Sequence, residues 1–258
     1  MNKKEFDVIL KNRQDQLLKL VTKSFFKELV NYGIDSSDIV TVSMNLLDHV
    51  TKKEKKSNNE NGFYHHLFTL KSVKDFWDTT NTLTIEKVSV SPLTPEGIPQ
   101  IVRWLRNNEI THTFIDFLPK SQSALDTYFF GDPLRAYFEI HFENEFVGII
   151  GAENIDEPCK KLEMKKFVGA PGFSGKGIGK RATFLFLYHS FMIREFNKVY
   201  IHSMDTNIRN ININSKFGFE LEGVFFQEAC KNERFYDVVR MGLLRRQWLK
   251  IFNAETIK

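Results

Sequence analysis

Apolar positions along this chain change their period twice. Phe6, Ile9, Leu10, Leu17, Leu20, Val21, Phe25 and Leu29 recur mostly every three or four residues, which predicts a helix over residues 5–30 that Gly33 ends. Asp35, Ser36 and Ser37 offer caps for a second helix over residues 38–50. Residues 52–62 (KKEKKSNNENG) carry no apolar anchor and read as an exposed loop. A third helical piece is expected over residues 67–79, with Val73, Phe76 and Trp77 inward. Thr80 and Asn81 mark a boundary, so a helical N-terminal domain is expected over residues 1–80 and a second domain over 83–250.

Beyond that boundary alternation takes over. Residues 83–90 predict a strand, and Thr94 with Pro95 predicts a helix through Leu105. Residues 107–133 are weakly patterned. Strands are expected over 136–143 and 146–155 around a turn at Asn144 and Glu145, then over 161–168. A helix over 178–196, a strand over 198–204, a helix over 205–217 ended by Gly218, and strands over 219–228 and 234–243 complete the order. Antiparallel meanders with one strand–helix–strand unit make an α/β chain of the α+β kind.

The strand over 161–168 enters a glycine-spaced stretch, GAPGFSGKGIGK, over residues 169–180. Gly175, Gly177 and Gly179 let the backbone approach a ligand, and the helix that follows offers unpaired N–H groups to an anion. Lys176 and Lys180 add positive charge. A P-loop would need Gly at 170 and Ser or Thr at 177, where this chain has Ala170 and Gly177. A dinucleotide fingerprint would need Gly at 180, where it has Lys180. An anion site of another kind is implied.

Composition narrows the class. With 42% hydrophobic and 26% charged residues and a net charge of +4 over 258 residues, the chain is an ordinary globular protein whose charge does not demand nucleic acid. Cys159 and Cys230 show no metal-ligand spacing, and the seven histidines form no HExxH pattern, so no metal is expected. No uncharged run reaches the ~18 residues of a membrane span and no apolar signal core opens the chain, so a cytoplasmic protein is expected.

Three stretches in order resemble the GCN5-related N-acetyltransferase family from Leu83 to about Trp248. Ser174 to Gly179 matches the cofactor motif Arg/Gln-x-x-Gly-x-Gly/Ala at its two glycine positions, with Ser174 in place of Arg or Gln. Residues 207–223 (NIRNININSKFGFELEG) are similar to the family's N-x-R-x-I…K-x-G-F-x-x-E-G run. Tyr236, Asp237 and Val238, followed by Met241 to Trp248, resemble the C-terminal strand of the RimJ/RimL-like branch.

The resemblance implies an acyltransferase fold with a mixed, mainly antiparallel central sheet, and acetyl-CoA in a V-shaped gap between the strand entering the loop and the next one. Pyrophosphate would rest on Ser174, Gly175, Lys176, Gly177, Ile178, Gly179 and Lys180. Backbone near Phe167 or Val168 would hold the thioester carbonyl, and Asn207 the pantetheine arm. A neutral amine would attack directly. Asn214 stands where many members carry the Tyr that protonates the leaving thiolate; Asn cannot do this and is expected as a cofactor contact instead. The acceptor implied is a small primary amine such as a nucleotide-linked amino sugar, with a protein N-terminus as the alternative.

An attacking amine needs a base. Glu153 and Glu163 are the carboxylates on the strands nearest the expected gap, each readable also as a solvated strand residue. Glu153, inside an apolar run, is the first choice. His141 and Tyr128 could reach an acceptor pocket but read more simply as packed residues, and Arg245 and Arg246 as a solvated face.

Residues 1–80 resemble an acyl carrier protein in part. Gly33-Ile-Asp35-Ser36 is similar to the motif whose Ser carries phosphopantetheine, which makes Ser36 a candidate attachment site, and residues 68–76 resemble the carrier's last helix. Asp35 and Ser36 are explained equally well as helix caps. The partners expected are a small-molecule amine and, through residues 1–80, a protein, with a homodimer left open; neither nucleic acid nor membrane is expected.

Overall fold

The computed structural model describes residues 3–31, 35, 38–40, 43, 63–106, 118–173 and 175–253, with side chains in the first helix from Asp15 onward. Ser36, most of the second helix and Ser174 lie outside the described residues.

Alternating stretches of the sequence assemble into one sheet in the order β1-β2-β3-β4-β5-β6-β7-β9-β8. The strands are β1 (Lys74–Phe76), β2 (Thr82–Ile85), β3 (Val88–Pro92), β4 (Ala136–Phe142), β5 (Glu145–Asp156), β6 (Lys161–Val168), β7 (Lys198–Met204), β8 (Glu220–Lys231) and β9 (Arg234–Leu244). Among the described strands, β6 and β7 make the parallel pair; the other pairings are antiparallel. The helices are α1 (Lys3–Asn31), α2 (Trp77–Thr80), α3 (Ile98–Leu105), α4 (Gln122–Phe130), α5 (Ile178–Tyr188), α6 (Ile208–Ser215) and α7 (Arg245–Phe252).

Side chains alternate across each strand, so the sheet buries two cores. One gathers around α5, where Phe184, Phe186 and Phe191 are buried as their helical spacing implies, with Trp248 and Phe252 of α7. The other joins Trp104 of α3 and Phe129 of α4 to Tyr137, Ile149 and Phe167 of the sheet.

Several expectations are corrected here. The helical piece expected over 67–79 is reduced to the single turn of α2: two 3-10 turns (Tyr64–His66 and Leu70–Ser72) lead into β1, and Val73 and Trp77 pack on the core while Phe76 is exposed. The likeness of residues 68–76 to a carrier's last helix fails with it. Nor does residue 80 close a separate core. Tyr64 meets Phe217 edge-on and Phe68 stacks on Phe184, both of the second expected domain, and β1 pairs with β2. The expected strand over 83–90 is a hairpin. Leu83 and Ile85 fall on odd positions and Val88 and Val90 on even ones, and Glu86, at φ 52°, sits in the turn between them. The helix over 178–196 ends its α-helical part at Tyr188 and continues as a π turn, His189–Ile193.

α1 is pinned by its charges. Leu20 and Ser24 are its buried positions; Ser24 Oγ donates to Asp205 Oδ2 at 3.2 Å, and Lys27 Nζ lies 3.7 Å from the same oxygen. Lys23 lies 3.7 Å from Asp237.

Candidate active site

The parallel register of β6 and β7 is short. Leu162 faces Val199 and Glu163 faces Tyr200, and beyond those positions the ladder stops. The strands diverge, and a cavity opens lined by Phe167, Lys165 and Lys166 of β6, His202 and Ser203 of β7, and Asn207, Asn210 and Asn214 at and within α6. Tyr128, Tyr137 and Glu153 close its other side.

Above the opening, the glycine loop delivers the chain into α5. Gly175 and Gly177 sit at φ 83° and 73°, left-handed values that favour glycine. Chain neighbours and the helix's own backbone aside, no atom of the described residues lies within 4 Å of where a Cβ would stand at Gly175 or Gly179, so packing among them does not require glycine there. Lys176 lies over the Phe173 ring at 4.3 Å and Lys180 over Tyr64 at 5.0 Å, which steadies both ammonium groups beside the loop. Ile178 is buried as the first residue of α5, and Val168 packs partly buried against the same core.

Lys166 deepens the positive field. Its Nζ donates to Thr183 Oγ1 at 2.5 Å and to Gly179 O at 3.4 Å, and burial lowers its pKa to about 8. A cation at the start of a helix opposes the helix dipole unless an anion sits above it.

Asn207 caps α6, its Oδ1 accepting from Asn210 N at 3.2 Å, which leaves its amide NH₂ for the cavity. Asn214 is buried, and its Nδ2 donates to Asn210 O at 2.9 Å and Asn210 Oδ1 at 3.0 Å. Its own Oδ1 is buried with no partner among the described residues. An unfilled buried acceptor costs about 1–3 kcal/mol, so this atom fits a ligand N–H in the gap. The residues present therefore match what an acyl-CoA arm needs: an anion cradle, flanking cations and amide partners.

The two candidate carboxylates are cross-strand partners, Glu153 of β5 opposite Glu163 of β6. Both are buried. Glu153 Oε1 accepts from the hydroxyls of Tyr128 and of Tyr137, the latter at 2.5 Å, with Arg135 Nε at 3.9 Å. Burial first, then the Glu153 charge, raises the Tyr137 phenol well above its ordinary range, and Tyr128 is raised by burial and its hydrogen bond to Glu153. Tyr128, expected as a packed residue, is thus part of the cavity.

Glu163 sits among cations. Lys165 Nζ is 2.7 Å and His202 Nδ1 3.0 Å from Oε1, and Asn154 Nδ2 donates to Oε2 at 2.8 Å. Asn154 reaches it from a bulge in β5, at φ 50°. Burial pushes the Glu163 carboxyl up, but the His202 hydrogen bond and the Lys165 charge outweigh it and hold the pKa at about 2. A carboxylate held that far below neutral is a weak proton acceptor near pH 7. His202 was not foreseen. His141 lies elsewhere, 3.3 Å from Glu139.

The description of an acetyltransferase (GNAT) domain matches residues 87–220, just over half of the chain. The spermidine N(1)-acetyltransferase of Escherichia coli K12 is 26% identical over 118 residues, and its Vibrio cholerae counterpart 27% over 107. Those alignments span 46% and 42% of this chain, and 63% and 61% of the relatives, so less than two thirds of their length is covered. A crystal structure of the Vibrio cholerae spermidine N-acetyltransferase with CoA and spermine superposes with a TM-score of 0.59 at 22% identity, covering 63% of this chain and 98% of that one. A dodecameric structure of the same enzyme gives 0.55 at 21%, covering 63% and 96%. At such identities the superpositions speak for the fold. Sheet order, diverging parallel strands and glycine loop agree with the matched sequence region: this chain belongs to the GNAT acetyltransferase domain family.

Proposed function

We propose that the chain is an acetyl-CoA-dependent N-acetyltransferase acting on the primary amine of a small molecule. The observation that carries the reading is the divergence of β6 from β7 under the glycine loop, with Asn214, whose buried Oδ1 has no partner among the described residues, lining the gap. In this reading the N–H groups of residues 175–180, with Lys176, Lys180 and Lys166, hold the pyrophosphate. Asn207 and Asn214 hold the pantetheine amides, and backbone near Phe167 or Val168 takes the thioester carbonyl. Bound there, acetyl-CoA supplies the activated acyl group. Ser174 keeps its expected pyrophosphate contact as part of this proposal.

The relatives named above are polyamine enzymes, so spermidine, rather than the nucleotide-linked amino sugar, is the first acceptor to offer. CoA release from acetyl-CoA is measured with spermidine, an amino-sugar nucleotide and a peptide N-terminus. Turnover of at least one is expected, and calorimetry should detect CoA binding to the wild-type chain. A chain that binds no CoA sinks the proposal.

Lys166→Met provides an independent check. Its folded pKa, about 8 against an ordinary 10.5, means the folded state bears a buried charge below pH 8 that it sheds at higher pH. Without CoA, wild-type stability is expected to rise between about pH 8 and 10.5, as followed by denaturant melts. Lys166→Met should flatten that rise and weaken CoA binding about tenfold.

A further inference from the structure

Direct transfer to an ammonium needs a proton acceptor; of the two candidate carboxylates, Glu153 lines the cavity and Glu163 does not, and each is already engaged. Glu153 is engaged by two phenols, and Glu163 is held at a pKa of about 2. Between the cavity and Glu163 stands His202. Its Nδ1 lies 3.0 Å from Glu163 Oε1, its ring is flanked by Tyr200 and Phe225, and it lines the cavity. Among the described residues its Nε2 has no hydrogen-bond partner.

We propose that His202 is the general base of this acetyltransferase and Glu163 the positioning residue that fixes its tautomer. The proposal rests on the transferase reading above and deepens it. A buried carboxylate accepting from Nδ1–H leaves the lone pair on Nε2, on a ring that lines the cavity, the arrangement a base requires. Nε2 takes one proton from the acceptor ammonium. The freed nitrogen lone pair forms the C–N bond at the acyl carbon while the C–S bond breaks and sulfur keeps its electron pair. The sulfur then takes the second proton from nitrogen, and the imidazolium returns its own to water. Atoms and charge balance as ammonium plus thioester giving amide, thiol and one released proton.

The charged groups facing His202 are Glu163, Lys165 on β6 and Arg240, its cross-strand partner on β9, and Arg240 is itself engaged by Glu222 at 3.2 Å and stacked on Tyr200 at 4.0 Å. Phe225 from β8 adds no charge.

The test uses the full chain labelled with ¹⁵N-histidine. The neutral His202 ring is expected as the Nδ1–H tautomer, and Glu163→Gln should let the Nε2–H tautomer appear beside it. An Nε2–H tautomer overturns the dyad whatever the activity. With an acceptor from the panel, His202→Gln is expected to lower kcat about 100-fold, the low end of general-base effects, with KM for acetyl-CoA within about twofold. The acidic limb of the pH–rate profile should vanish, and added imidazole should partly restore His202→Ala. Turnover and an acidic limb that survive His202→Gln overturn the base role alone. A wild-type chain that binds CoA yet turns over no amine overturns the transferase reading, and the base role with it.

Discussion

Glu153 and Glu163 occupy facing positions on neighbouring strands, on the same side of the sheet, yet their surroundings are opposites. Two phenols close around the first; a lysine, a histidine and an amide close around the second. Like charges directly opposite repel across a sheet, so each carboxylate must be held by its own partners. The partners decide what each can do. Two phenols, with Arg135 further off, keep Glu153 as the centre of a fixed hydrogen-bond cluster, whereas Lys165 and His202 give Glu163 a means to act on a neighbour that can move protons.

Substitutions can separate the two. Glu163→Gln is expected to have the largest effect, lowering kcat at least about tenfold, because the His202 ring loses its charged partner while remaining in place. It should also change acid stability. The folded pKa of Glu163 lies below its ordinary 4.5, so the stability it contributes is present above pH 4.5 and lost as pH falls toward 2. Denaturant melts from pH 6 to 3 should show a shallower loss in the variant; an unchanged slope would mean the cation ring is not holding the charge. Glu153→Gln should lower kcat only about threefold and leave the acidic limb of the pH profile intact. A loss as large as that of Glu163→Gln would merge the two roles. The same variant should let phenolate absorbance appear at lower pH than in wild type, because the Glu153 charge helps hold both tyrosines protonated. Tyr137→Phe removes one donor and should cost about 1 kcal/mol of unfolding free energy by denaturant titration. The smallest effect expected is the coupling between the two glutamates. A double-mutant cycle should return well under about 1 kcal/mol, since each charge is already screened by its own partners.

The parts of this site legible in the sequence are those built from near neighbours. β6, the glycine loop and the start of α5 follow one another without a break, and Asn207 precedes its helix by one residue. His202 escaped notice because its partner is 39 residues away, and the parallel pairing of β6 with β7 alone brings them together. Tyr128 and Glu153 meet only through the docking of α4 on the sheet. Residues 67–79 misled because Val73, Phe76 and Trp77 mimic a helical face, although Phe76 lies in an edge strand. The change from odd to even apolar positions after Ile85 was a readable sign of a hairpin. So was the spacing of Trp248 and Phe252, four residues apart, for α7, which no expectation included.

The early end of the β6–β7 ladder has one more consequence. A sheet edge on the surface of a protein invites pairing with other chains. Here two edges face each other inside the sheet, flanked by paired strands on either side rather than by open solvent. What suits the opening is a slender, extended molecule with amide groups along its length, able to stand between the strands as a peptide would. The gap thus sorts candidates by thickness and hydrogen-bonding rhythm before any catalytic group is reached.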